Sequence, residues 1–92
     1  MIPEVFKPSS KEELEADFIP TISDVSGLPI ERITNESRLE DIGIDSLDRM
    51  ELLVYAENRY GVLVTDSAAF KMKKVGDLID ETWKALKGEN NE

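Results

Sequence analysis

There is no cysteine and no histidine in these 92 residues. Without cysteine no disulfide can hold the chain, so a compact helical bundle with short loops is expected over a loop-rich fold. The same absence fits a reducing compartment. It also removes the best thiol nucleophile, and the missing histidine removes the usual general base. A Ser-Lys or Asp-Asp enzyme on so short a chain, with no evident substrate pocket, is not expected. The chain reads as a protein without catalytic activity of its own.

Long apolar runs are also missing. No stretch approaches the roughly 18 consecutive apolar residues of a membrane span. Met1 to Ser10 lacks the charged-then-apolar pattern of a secretory signal, so a cytoplasmic location is expected. Basic residues are the minority, 11 against 20 acidic, for a net charge of −9. Phosphates would be repelled, which argues against nucleic acid or anionic lipid and favours basic surfaces on other proteins as partners. At 40% apolar residues the chain is too hydrophobic for a disordered one. Its length suits one small domain. Such a domain buries only about 60–65% of its unfolded surface, so the core is limited.

Residues 1–9 read as a flexible lead-in, residues 10–88 as the folded domain and residues 89–92 as a frayed tail. Ser10 to Glu13 has the pattern of a capping box, and helix I follows it with Leu14, Phe18, Ile22 and Val25 on one face. Gly27 caps its end and Pro29 forbids continuation. Pro20 falls inside, where it removes one amide bond and crowds the carbonyl of Ala16 at a cost of about 3 kcal/mol. A kink, or a helix in two pieces, is expected there. Leu28 to Asp45 is a long connection, of a length usually kept for function, anchored by Ile30, Ile33, Leu39, Ile42 and Ile44. Helix II runs from Ser46 to Tyr60 with Leu47, Met50, Leu53, Val54 and Ala56 or Tyr60 as its apolar face, and Gly61 ends it. Val62, Leu63 and Val64 read as buried loop. Asp66 is the expected cap of a short helix III reaching about Met72. Helix IV starts near Val75, uses Val75, Leu78, Ile79, Trp83 and Leu86 as its face, and ends by Gly88. Lys73 and Lys74 oppose that helix's dipole by a few tenths of a kcal/mol each, which suggests a loose junction or one held by a partner.

The segment Asp41 to Leu53, DIGIDSLDRMELL, carries the chemistry. An EF-hand register starting at Asp41 puts Gly43 at the third ligand position, Ser46 where glycine is needed and Leu52 where glutamate is needed. No intrinsic metal site is expected. One reading of Ser46 is plain capping, with Asp45 and Asp48 as a capping pair that also suits the helix dipole. The other is that its hydroxyl is presented for covalent modification. A helix start can accommodate a phosphate, although Asp45 and Asp48 would repel one unless a metal or basic partner intervened.

The stretch Glu40 to Leu53, EDIGIDSLDRMELL, resembles the modification site of acyl carrier proteins: Asp-Ser-Leu after a short Gly-containing apolar turn, with an amphipathic helix beyond. The likeness continues through AENRYGVLVTDSAAF and VGDLIDETW and covers roughly Ser10 to Leu86. It implies an all-α, acyl-carrier-protein-like four-helix bundle, with three main helices, a short helix III and a long loop between helices I and II. It implies that Ser46 carries a covalent 4′-phosphopantetheine arm, transferred from coenzyme A by a phosphopantetheinyl transferase with Mg²⁺, and that Asp45 contacts the transferase and its metal. The arm's thiol would hold acyl groups as thioesters for fatty-acid, polyketide or related lipid biosynthesis. Leu47, Asp48, Met50, Glu51 and Glu57 are the implied contacts for basic docking surfaces on acyl-transferring or chain-extending enzymes. Leu53, Val54, Ala56, Leu63, Ala69, Met72 and Ile79 are the implied lining for the acyl chain, and a monomer is expected. The alternatives are a small helical interaction module with Ser46 as part of a cap, or an aminoacyl or peptidyl carrier, the latter disfavoured by GIDSL.

One departure stands out. Members of that family usually carry strong negative charge on helix II and the start of helix III. Here Ser46 to Tyr60 nets −1, Gly61 to Lys74 nets +2, and Ser10 to Asp45 holds −7. Either surface charge has drifted, or this is a dedicated carrier with its own partners.

Overall fold

The computed structural model describes residues 5–88. Residues 1–4 of the expected lead-in and the expected tail, 89–92, lie outside the described residues. Four α-helices are present among them: α1 Lys11–Ser26, α2 Ser46–Tyr60, α3 Asp66–Lys71 and α4 Val75–Leu86. No strand forms among the described residues, and one isolated bridge joins Arg38 to Lys74.

α1 begins where its cap dictates. The Ser10 hydroxyl accepts from the Glu13 amide. Glu13 reaches back one residue further than a capping box requires and accepts from the Ser9 amide and hydroxyl. The helix runs unbroken through Pro20 to Gly27, whose amide bonds Ser23 O, so the two-piece alternative is not what forms. The buried side chains of Phe18 and Ile22 hold the helix on either side of the exposed proline. Leu14 completes that face.

The long connection contains two 3-10 turns, Ile30–Arg32 and Glu40–Ile42. Ile33, Leu39, Ile42 and Ile44 are buried anchors, as expected. Ile30 is not: its turn lies on the surface, with Pro29, Glu31 and Arg32 exposed beside it. The connection runs antiparallel beside the α3–α4 junction. The Leu39 amide donates to Lys73 O, that of Val75 to Ser37 O and that of Gly76 to Asn35 O, each at 2.9 Å. A Cβ on Gly76 would stand 3.0 Å from that asparagine oxygen, so a larger residue would require the loop backbone to give by a few tenths of an ångström. The junction expected to be loose is therefore held within the chain. Asp77 also accepts from the amides of Lys73 and Lys74, which offsets the unfavourable lysines at the start of α4.

The apolar face of α2 differs from the expected one. Leu52, Ala56 and Tyr60, four residues apart, point into the core, and Leu53 packs at its edge. Leu47, Met50 and Val54 form a separate stripe in solvent. The apolar residues of α2 wrap more of the helix than one neighbour can cover, so part of the stripe stays out. After α2, Val64 is buried but Leu63 is 65% exposed, so the segment read as buried loop is only partly so. Thr65, not Asp66, caps α3 by accepting from the Ala68 amide. On α4, Val75, Leu78 and Ile79 are buried, Trp83 and Leu86 half-buried. Thr82 is buried as well, its hydroxyl satisfied by donating to Leu78 O at 2.8 Å.

Far from Ser46, Asp17 of α1 ties α1 to α2. It accepts from Tyr60 Oη at 2.6 Å, Tyr55 Oη at 3.3 Å and Arg59 Nη2 at 2.7 Å. The Arg59 guanidinium, above all, holds the Asp17 carboxyl below the usual range; burial pushes the Tyr60 hydroxyl well above its own. The described part of the lead-in docks here too. The Phe6 amide donates to Arg59 O, and the Phe6 ring packs against Tyr60 and under the Arg59 guanidinium.

Candidate functional site

Gly43 closes the turn Glu40–Ile42 in a left-handed conformation, φ +82°, a backbone that glycine adopts without strain. The chain then drops Ile44 into the core, its amide on Leu39 O at 2.9 Å, and emerges at Asp45. Asp45 is the N-cap of α2: its Oδ1 accepts from the Asp48 amide at 2.8 Å, and Asp48 Oδ2 accepts from the Asp45 amide at 3.2 Å. This reciprocal pair forms the capping box without the serine hydroxyl. Ser46, the first helical residue, is exposed, and its hydroxyl forms no hydrogen bond among the described residues. The sequence left two roles for the serine, and the geometry separates them: the carboxylates cap, and the hydroxyl is left over.

Ser46 stands at the edge of a cleft of about 660 Å³ between α2 and α3. Ile44, Met50, Leu53, Ala69 and Phe70 supply its apolar lining, and Glu40, Asp45, Arg49 and Asp66 its charged groups. Arg49 Nη1 donates to Met72 O at 2.6 Å, which ties α2 to the C-terminal end of α3.

The proposed acyl-lining residues divide three ways. Leu53 and Ala69 face the cleft. Ala56, Met72 and Ile79 lie in the buried core. Val54 and Leu63 are on the surface. Of the residues assigned to partners, Leu47 is 68% and Met50 62% exposed, Glu51 is exposed, and Asp48 and Glu57 are half-buried. Sequence reasoning did not assign Phe70, the most exposed large apolar side chain at 85%, or Arg49 to this site. The available signal was a lone aromatic ending an Ala-Ala pair in a six-residue helix, and a cation three residues after the serine.

A family model described as the phosphopantetheine attachment site matches residues 17–81. An acyl carrier protein of Rickettsia bellii is 42% identical over 77 residues, covering 82% of this chain and 90% of the relative. The meromycolate extension acyl carrier protein of Mycobacterium tuberculosis is 36% identical over 73 residues, 78% of this chain and 64% of the relative. Among solved structures, the acyl carrier protein of Thermotoga maritima superposes with a TM-score of 0.73 at 29% identity, covering 85% of this chain and 92% of that one.

Proposed function

Since the chain belongs to the acyl carrier protein family, whose members carry covalent 4′-phosphopantetheine and are carriers and not catalysts, we propose that Ser46 is the attachment point of that arm. One observation carries the assignment. The Ser46 hydroxyl is the uncommitted polar group at the start of α2, because Asp45 and Asp48 satisfy the cap between them. Asp45 keeps a second role as the contact for a transferase and its Mg²⁺. The arm supplies a terminal thiol, which holds acyl groups as thioesters; the chain itself has no cysteine.

The residues present fit such a group. The serine is exposed, and the cleft beside it offers an apolar lining of Ile44, Met50, Leu53, Ala69 and Phe70 against which an acyl chain can shelter. The core residues Ala56, Met72 and Ile79 back that lining without reaching it, and would meet cargo only if α2 and α3 parted. Leu47, Met50 and Glu51, out in solvent, with the half-buried Asp48 and Glu57 on the same helix, form the docking stripe for enzymes that load, extend or remove the acyl group. The charge balance supports a dedicated carrier with its own partners: the acid lies on α1 and the long connection, and the α3 region is net basic.

The test is intact mass after incubation of the apo protein with coenzyme A, Mg²⁺ and a broad-specificity phosphopantetheinyl transferase. The wild type gains one phosphopantetheine and Ser46→Ala gains none, while its melting temperature stays close to the wild type's. A folded wild type that gains nothing with several transferases would sink the proposal.

A further inference from the structure

Among the described residues Arg49 is the one cation that lines the cleft, and three carboxylates, Glu40, Asp45 and Asp66, line it too. Even so, its guanidinium forms no salt bridge among the described residues; one nitrogen donates to Met72 O, and the other donors have no partner there. A guanidinium has five N–H groups in a fork that suits phosphate oxygens. Residues three apart on a helix are neighbours, so Arg49 and Ser46 share a face of α2, and both line the cleft. A phosphodiester on Ser46 would enter a region where Asp45, Asp48, Glu40 and Asp66 all repel it.

We propose that Arg49 is the intramolecular counter-charge for the phosphodiester on Ser46, a positioning residue that links the modified serine to the end of α3 through Met72 O. The inference rests on Ser46 being the attachment site. It resolves the repulsion that the acidic helix start would otherwise impose, and it makes α3 sensitive to whether the arm is present.

The test is a four-protein cycle: apo and holo forms of the wild type and of Arg49→Gln, each checked by intact mass. Losing the Met72 bond weakens both forms of the variant equally, so the readout is the holo-minus-apo change in melting temperature. That change should be lower in Arg49→Gln than in the wild type by about 4 °C or more, the scale expected for a single charged contact in a domain this size. Arg49→Lys, which keeps the charge, should recover part of it. In the wild type alone, 0.5 M NaCl should lower the holo melting temperature relative to the apo one, because it screens the attraction to Arg49; a rise would mean that repulsion by the carboxylates dominates, and this sign keeps the idea testable even if the glutamine variant does not fold. The ³¹P resonance of the holo phosphodiester should also move between wild type and variant. Equal holo-minus-apo changes in both proteins, or a difference in the wild type that salt leaves unchanged or raises, would overturn the role of Arg49. A wild type that takes no arm would instead remove the premise, and intact mass tells the two failures apart.

Discussion

At the Tyr60 end of α2, polar groups are paired and aromatic rings pack tilted or edge to face. Asp17 accepts from two tyrosines and an arginine, and Phe18, Tyr55 and Tyr60 pack with ring centroids 5.5 to 5.9 Å apart. At the Ser46 end of the same helix, the serine hydroxyl has no partner among the described residues, Leu47 and Met50 stand in solvent, and an open cleft separates α2 from α3. Fifteen residues of helix thus join a closed end to an open one. The closed end contributes to the stability of the fold together with the rest of the core. On the proposed assignment the modified serine and the docking stripe must be reachable by several enzymes in turn, and the exposure of Ser46, Leu47 and Met50 at the open end fits that. If that division is right, damage to the closed end should cost stability and leave the chemistry of Ser46 alone.

The hardest way to break the comparison is Phe18→Ala. Phe18 is fully buried and contacts both tyrosines of α2. Truncating such a ring costs about 3–5 kcal/mol, a large part of what a domain of this size has. Urea unfolding should show that loss, while whatever fraction stays folded should still accept phosphopantetheine on Ser46. Loss of modification in a folded fraction would mean the two ends are not independent.

A milder test is Asp17→Asn. The substitution removes the charge that Arg59 pairs with and weakens the bonds from Tyr55 and Tyr60, for a cost of about 1–2 kcal/mol near neutral pH. The pH dependence has a definite sign. Arg59 is the main reason that the Asp17 carboxyl is held below its ordinary value of 3.8 in the fold. A depressed carboxyl contributes stability that is complete above the unfolded value and fades as pH falls through the folded one. The stability gap between wild type and Asp17→Asn, followed by denaturant melts, should be constant from pH 7 down to about 5 and close below pH 3.8. A gap that does not narrow at all as pH falls below 3.8 would show that the carboxylate charge is not what Asp17 contributes.

The two ends also differed in how well they could be read from the sequence. The start of α2 was legible to the residue, because Asp45 and Asp48 form a cap with a fixed spacing and the Asp-Ser-Leu motif falls on it. Helix spans followed from periodicity, and α1, α2 and α4 begin where expected. Which face of α2 is buried did not follow, since apolar residues occupy so much of its surface that periodicity alone cannot choose between the Leu52 stripe and the Leu47 stripe. The Asp17 cluster was invisible for another reason. It joins residues 38 to 43 positions apart, and no local pattern marks an aspartate as the acceptor for two distant tyrosines. The same holds for the α3–α4 junction, which a loop more than thirty positions upstream holds in place. Thr65 displaced Asp66 as the cap of α3 because the choice between adjacent capping residues depends on where the preceding chain leaves the core, and the buried Val64 sets that.

The smallest expected effect sharpens the comparison from the open side. Gly43 sits at φ +82°, and nothing lies within 4 Å of where a Cβ would be. Gly43→Ala therefore meets no clash, and its cost is the conformational one alone, about 1 kcal/mol. Asparagine tolerates the left-handed region better, so Gly43→Asn should lose less than Gly43→Ala in the same melt. Yet this turn aims Ile44 inward and sets Asp45 as the cap, so the cost should fall on the Ser46 end. The sign to look for is a slower gain of phosphopantetheine in Gly43→Ala than in Gly43→Asn, at temperatures where both are folded. The opposite pattern to Phe18→Ala is expected: little stability lost, and modification slowed. Equal modification rates in the two variants would mean that the serine's presentation depends on the Asp45–Asp48 cap alone and not on the turn that leads into it.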